Sequence, residues 1–293
     1  MSSKIKVDTI ENVAGSGNVS LGSGHNLVVP GTLSITGAST LTGATTVGGD
    51  LIVDTSTLKV DSSNNRVGVG TTSPDGALHV KGMSDHGRII VESGGNTGST
   101  NNMFIQFHNN GGTEVSQITV EETATNEGQM VFKTGGTTTA MTIDKDGHIT
   151  QPLQPAFFAR VQNGSAMTDL AVNAYHTVTF NEEIFDQNAD YNNSNYTFTA
   201  PVTGKYHFDC RLYLLEVPSN TTYVYFQLST SNRDYLMHIN DVDSDQYYDF
   251  LQGSILVDMD ANDTAYVYFY QPNGSTTTHI HHQNTYFTGH LVA

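Results

Sequence analysis

The stretch "GTLSITGASTLTGATTVGGDLIVDTSTLKV", residues 31–60, alternates apolar and polar positions and is cut by Gly every few residues. Period-two alternation sends successive side chains to opposite faces of a strand, and recurrent Gly stops a helix from propagating. "LSITGA", "STLTGA" and "TTVGGD" form a loose repeat of short strands and turns. A flexible linker would share the Gly and Ser but has no need of regular β-branched residues. Ile35, Val47, Ile52, Val53, Val60, Val67 and Val69 supply them here. They are too few to close a core within one chain. They can be buried if identical chains wrap round each other and pool them. The expectation for residues 1–82 is therefore a trimeric, β-rich fibre shaft.

Beyond the shaft, residues 83–150 hold short alternating runs, "GRIIVES", "MFIQFHNN", "SQITVEE", "GQMVFKTGG" and "AMTIDKDGHI", separated by Gly- or Asn-rich turns. Such spacing reads as hairpins in a small β module, with "DKDG" as a turn. From residue 154 to 293 the character changes. Tyr and Phe become dense, and 15 acidic residues face 4 basic ones. Runs such as "GKYHFDCRLYLLE", "TTYVYFQLST" and "DTAYVYFYQ" predict eight to ten strands, the pattern of a β-sandwich or jelly roll. The fold class expected is all-β throughout.

Charge and cysteine narrow the function. Asp and Glu outnumber Lys and Arg by 29 to 12, a net charge of −17. Phosphate backbones need the opposite sign, so nucleic acid is not an expected partner. Cys210 is the only cysteine, so no intrachain disulfide framework can form. The opening "MSSKIKVDTIENVAG" has no apolar core like that of a signal peptide, and no run reaches the ~18 apolar residues of a membrane span. The expectation is synthesis in a cytoplasm without membrane insertion.

Two segments carry resemblances. "NNRVGVGTTSPDGALHVKG" resembles a motif of bacteriophage tail fibres and other appendage proteins, where it marks the change from thin shaft to wider β module. "SKIKVDTIENVAGSGNV" is similar to the start of phage virion structural proteins, including those of marine cyanobacteria. Together they cover about the first 80 residues and imply that this end attaches to the virion. In the last part, Phe180, Asp186, Tyr191 and Phe198 lead into "APVTGKYHF", with Gly204, Tyr206 and Phe208. That series, with Phe287, Gly289 and Leu291 of "YFTGHLV", resembles the globular head of the complement C1q family. The resemblance implies a jelly roll shared with the tumour necrosis factors and a compact trimer. Cys210 departs from it, where the family usually has an aromatic, and no collagen repeat precedes the head. Gly204 is expected to form a tight turn after Pro201, with Tyr206 and Phe208 on one core-facing side of the next strand.

Candidate site residues fall in three groups. "NDVDSDQYYDF" places Asp241, Asp243 and Asp245 at alternate positions, a spacing that suits Ca²⁺. Gln246 stands where an EF-hand needs Gly, so a solvated acidic loop is the alternative. Calcium is also implied by the resemblance, whose heads often carry it near the trimer apex. Tyr223, Tyr225, Tyr247 and Tyr248 lie in or near loops of the expected distal surface, where Tyr beside Asn and Asp suits a receptor sugar; a place in the jelly-roll interior suits them equally. In "HIHH", His279 and His281 are expected to point to one side and Ile280 and His282 to the other. Three copies of His279 and His281 on a threefold axis would offer six imidazoles, matching octahedral coordination of a transition metal. The pattern is similar to the His-x-His of slender, iron-binding phage fibre tips. A pH effect without metal and a plain surface loop are the other readings.

No Ser/His/Asp ordering, phosphate loop or CxxC stands out, and the first 150 residues are too thin for a depolymerase groove, so enzymatic activity is not expected. The function expected is a homotrimeric phage tail fibre or receptor-binding virion protein. Its N-terminus would hold other virion or tail proteins, and its head would bind a host-surface glycan or protein. A purely structural capsid fibre or fibre connector is the alternative. A secreted C1q-like lectin fits less well.

Overall fold

The computed structural model describes residues 28–30, 32–35, 45–53, 57–82, 89–92, 102–124 and 127–293. The chain divides into two compact units, Met1–Ile90 and Val91–Ala293. Among the described residues every regular element is a β-strand.

In the first unit, β1 (Leu51–Val53), β2 (Leu58–Asp61), β3 (Arg66–Val69) and β4 (Leu78–Val80) form one sheet in chain order. β3 and β4 run parallel, while the other pairs are antiparallel. The recognised motif is thus β3, a crossover and β4, with the Arg66 guanidinium donating to the Pro74 carbonyl at 2.8 Å across it. The repeat expected upstream differs from what is seen. Residues 32–35 and 45–50 carry no strand, and residues 36–44 lie outside the described part. A lone strand has no partner for its backbone groups. Leu51, Ile52 and Val53 are all largely exposed.

The second unit starts with β5 (Asn102–His108), β6 (Glu114–Ala124), β7 (Glu127–Thr134), β8 (Thr138–Ile143) and β9 (Ile149–Thr150), an antiparallel meander in chain order. The expected turn at "DKDG" is present, with the Gly147 amide donating to the Asp144 carbonyl at 3.1 Å. Of the expected strand in "GRIIVES", residues 89–92 carry none, and the rest of that run lies outside the described residues. This sheet is a single layer. Phe104, Ile105 and Phe107 are 48 %, 55 % and 48 % exposed, and few of its side chains are buried.

The head holds twelve strands in two facing antiparallel sheets. One sheet has the order β12 (Glu182–Asp186), β10 (Ala156–Arg160), β21 (Tyr286–Leu291), β15 (Gly204–Val217), β18 (Gln246–Met259), with β20 (His279–Ile280) also on β15. The other has β13 (Tyr191–Asn192), β14 (Thr197–Thr199), β19 (Thr264–Gln271), β16 (Tyr223–Thr230), β17 (Asp234–Asp241), with β11 (Ala174–Thr177) on β19. The chain crosses between the sheets repeatedly, as a jelly roll requires. In β15, β16 and β19, buried and less buried residues alternate almost without a break.

The core is aromatic. Phe157 stacks on Tyr191 and Phe198, with centroids 4.8 and 5.1 Å away, and meets Phe287 edge-on at 5.0 Å. Tyr206 and Phe208 are fully buried, as expected from their spacing. Two glycines are required by close packing, and for Gly204 this differs from the turn that the sequence suggested. A Cβ on Gly204 would lie 2.6 Å from Leu291 and 2.7 Å from the Ala293 carbonyl, so this position serves close approach of the last strand and not a turn. A Cβ on Gly289 would lie 2.5 Å from the Phe208 ring and 2.8 Å from that of Phe157.

Candidate functional site

β15 and β18, fourteen residues each, set the long axis of the head. At about 3.3 Å per residue this axis is roughly 45 Å long. The chain comes in at one end, where Ala156 pairs with His290 and Tyr206 with Leu291. Gln187 and Asn188 fix the incoming segment there by donating to the carbonyls of Gln151, Gln154 and Leu153 at 2.8–2.9 Å. The other end is built from "EVPSNTT" (216–222), the loop before β18, and "QPNGSTTT" (271–278).

Those end loops are tied together by their own polar side chains. The Asn220 side chain donates to Ser275 Oγ at 3.2 Å and accepts from the Ser275 amide at 3.1 Å. Asn273 Oδ1 accepts from the Thr222 amide at 2.8 Å. The buried Gln271 side chain donates to Thr221 Oγ1 at 2.8 Å and to the Asn273 carbonyl at 2.9 Å. Thr277 Oγ1 donates to the Glu216 carbonyl at 2.9 Å, and Glu216 sits at φ 56°, in the left-handed region that side chains rarely adopt. Between the loops lies a cleft of about 510 Å³ lined by Glu216, Pro218, Ser219, Asp245, Tyr247 and Thr277 among others. No Lys or Arg lines it. Hydrogen bonds from Ser219, its side chain first and then its amide at 2.7 Å, hold the Asp245 carboxyl below the usual carboxylate range.

The four tyrosines are not one patch. Tyr247 is 62 % exposed and opens onto this cleft. Tyr248 is on the opposite face of β18, stacked on Tyr213, which in turn stacks on Phe250 at 4.5 Å. Arg211 covers the Phe250 ring at 4.2 Å. With exposed Phe185 and Leu256, these residues put several large apolar side chains on the outer face of that sheet, among polar ones such as His207, Asp209 and Gln252. Tyr223 and Tyr225 stack on each other on the outer face of the second sheet, where Tyr225 also meets Tyr270 at 5.1 Å and Tyr175 by a 3.3 Å hydroxyl contact.

The aspartates do not gather either. Asp245 is held by Ser219, and Asp241, Asp243 and Asp245 do not bring three ligand atoms together. Among the described residues the one set of three within 4.8 Å is Asp144, Asp146 and His148 at the "DKDG" turn. There Asp144 Oδ1 accepts from the amides of Asp146 and His148, both at 2.9 Å, which accounts for the cluster without an ion.

The histidines depart from simple alternation because β20 ends at Ile280. His279 Nδ1 accepts from the Asp169 amide at 3.0 Å, and its Nε2 is 3.8 Å from Glu216. Ile280 is buried on the other side, as expected. His281 then lies edge-on to Tyr213 at 5.4 Å and against His282 at 4.1 Å, so the close pair is His281 with His282. Burial and then the His282 charge lower the His281 pKa. A lowered folded-state value means that the unfolded chain binds more protons, so stability rises with pH. The contribution is complete above the unfolded value of about 6.5 and is lost as pH falls below it. The melting temperature should therefore be lower at pH 5 than at pH 7.5, and His281→Gln should narrow the gap. Equal melting at both pH values in the unsubstituted protein would refute this.

Two facing sheets with this strand order, an aromatic core and paired loops at one end define a jelly-roll head. Residues 156–292 match the C1q domain family. Among solved structures, the head is similar to the globular domain of zebrafish complement 1qA at 16 % identity, covering 48 % of this chain and 98 % of that one, with a TM-score of 0.34. It is also similar to murine APRIL, at 11 % identity over 47 % of this chain and 99 % of that one, TM-score 0.36. Eiger TNF from S. frugiperda gives 10 % identity, 48 % and 93 % coverage, and TM-score 0.36. No curated protein matches the chain.

Sequence reasoning missed Glu216, Asn220, Ser275 and Thr277. A signal was present: "VPSNTT" and "QPNGSTTT" are two similar Pro-Asn-Ser-Thr loops, each following a strand.

Proposed function

We propose that this chain is a homotrimeric receptor-binding protein of a bacteriophage appendage, most simply a tail fibre. Its N-terminal part holds the virion, and its C1q-like head binds a molecule on the host surface without breaking a bond. The observation that carries the reading is the set of apolar sheet faces that one chain leaves bare. Phe104, Ile105 and Phe107 of the single-layer sheet are about half exposed, and so are Tyr248, Phe250 and Leu256 of the head. Contiguous exposed apolar surface of this kind marks association. C1q-type domains generally form trimers that bind ligands and are not enzymes, and the resemblance of the first 80 residues to phage appendage proteins supplies the virion. The end loops support binding at the tip, because they lie at the far end of the head from the incoming chain.

Purified fluorescent protein mixed with a panel of bacterial cells, cyanobacteria included, should bind a subset saturably and release no soluble sugar. Binding to no cell, with capture of another virion protein instead, would establish the connector reading.

A further inference from the structure

We infer that the cleft at the end of the head is a subsite for an uncharged, polyhydroxylated sugar residue, with Tyr247 as its stacking platform and Asp245 and Glu216 as its hydroxyl acceptors. This rests on the receptor-binding reading and names the ligand class of that same head.

Size comes first. A cleft of about 510 Å³ falls within the roughly 300–1,000 Å³ of small-molecule sites. A flat protein-docking surface would not need such a recess. Pro218, beside the buried Val217, and the ring of Tyr247 supply its apolar lining. Odd-numbered residues such as Leu251 and Val257 on β18 face the sandwich interior, so Tyr247 stands on the core-facing side just where the sandwich opens. Tyr248 belongs to the other face of β18 by alternation, but at the strand's start the two rings still meet edge-on at 4.6 Å. An exposed aromatic face suits the C–H face of a pyranose. A charged or strongly hydrated group would gain nothing from it.

The polar groups point the same way. Ser219, Ser275 and Thr277 carry hydroxyls, Asn220 and Gln246 amides, and Asp245 and Glu216 carboxylates. Asp245 accepts from the Ser219 hydroxyl and amide, and the further lone pairs of an ionised carboxylate can still accept from a ligand hydroxyl. Charge-assisted bonds of this kind are stronger than neutral ones. With two carboxylates and no Lys or Arg in the lining, a sialylated, sulfated or phosphorylated glycan would be repelled. The loops need little ordering on binding, because the Asn220–Ser275 and Asn273–Thr222 bonds already fix them. That lowers the entropic cost of holding a small ligand.

The test uses the full-length protein on immobilised oligosaccharides ending in hexoses, N-acetylhexosamines, sialic acid or sulfated sugars, with adhesion to a binding cell strain measured in parallel. Binding is expected to one or more neutral sugars and to no anionic one. Tyr247→Ala should weaken it at least about tenfold and Asp245→Asn by a similar factor, as for loss of a charged hydrogen bond. Tyr247→Phe should stay within about threefold, since the ring and not the hydroxyl does the stacking. Asn at 245 can still accept from the Ser219 amide, so that variant keeps the loop. If cells bind but Tyr247→Ala and Asp245→Asn bind them equally well, the sugar site is wrong and the receptor reading stands. If neither cells nor any sugar binds, the receptor reading fails and this inference with it. Preference for anionic sugars overturns the inference alone.

Discussion

Mass measurement of the purified protein in solution should give three times 31.7 kDa, and Phe250→Asp should shift it towards smaller species. Phe250 lies in an unbroken aromatic row, between Tyr213 and the Arg211 guanidinium, on the outer face of a sheet whose other face is the core. It is 40 % exposed in one chain. Covering the exposed part of such a side chain is worth about 1 kcal/mol, and a threefold assembly repeats the gain at each interface. An aspartate there removes that gain and adds charge to a head that already carries 15 acidic and 4 basic residues. The β-sheet circular dichroism should persist in the variant, because the residue is outside the core cluster. A monomer at micromolar concentration in the unsubstituted protein would overturn the shaft argument as well as the head argument.

Phe157→Ala should cost about 3–5 kcal/mol, in line with other buried Phe truncations. At a fixed protein concentration this should lower the melting temperature by roughly 10 °C or more. Phe157 is 1 % exposed and touches Tyr191, Phe198, Phe208 and Phe287, so it joins both sheets at the chain's point of arrival in the head. Its loss leaves four rings facing a void that cannot collapse, since Gly289 beside it has no side chain to fill the space. Melting within about 2 °C of the parent would mean that the core relaxes far more than close packing allows.

Much of the head was legible because period two and aromatic density act locally. The strand "GKYHFDCRLYLLE" became β15, and Tyr206 and Phe208 point inward as their spacing requires. Gly204 was flagged for the wrong reason, since the neighbour that excludes a Cβ is Leu291, 87 positions away in the chain. The sites were less legible for a similar reason. Tyr247 and Tyr248 are adjacent in sequence and on opposite faces of the same strand. The cleft joins residues near 217, 246 and 276, which only the fold brings together. His281 left the alternation because its strand was two residues long, and strand ends are set by pairing and not by composition. The upstream repeat shows the opposite limit. Its alternation is plain, yet residues 32–35 and 45–50 form no strand in a single chain.

The two ends of the head have a mechanical meaning. The chain comes in along β10, which is bonded to β21 from Ala156 to Arg160, and β21 is bonded in turn to β15 from Tyr206 to Arg211. A tether pulling on the incoming segment while a ligand holds the far cleft loads these strands along their length. Interstrand hydrogen bonds lie across that direction. The five paired positions of β10 with β21 and the six of β21 with β15 would then resist sliding together, and none could be peeled open ahead of its neighbours. Under tension, then, the head is a shear joint, and bound ligand should leave the cleft before the strands part.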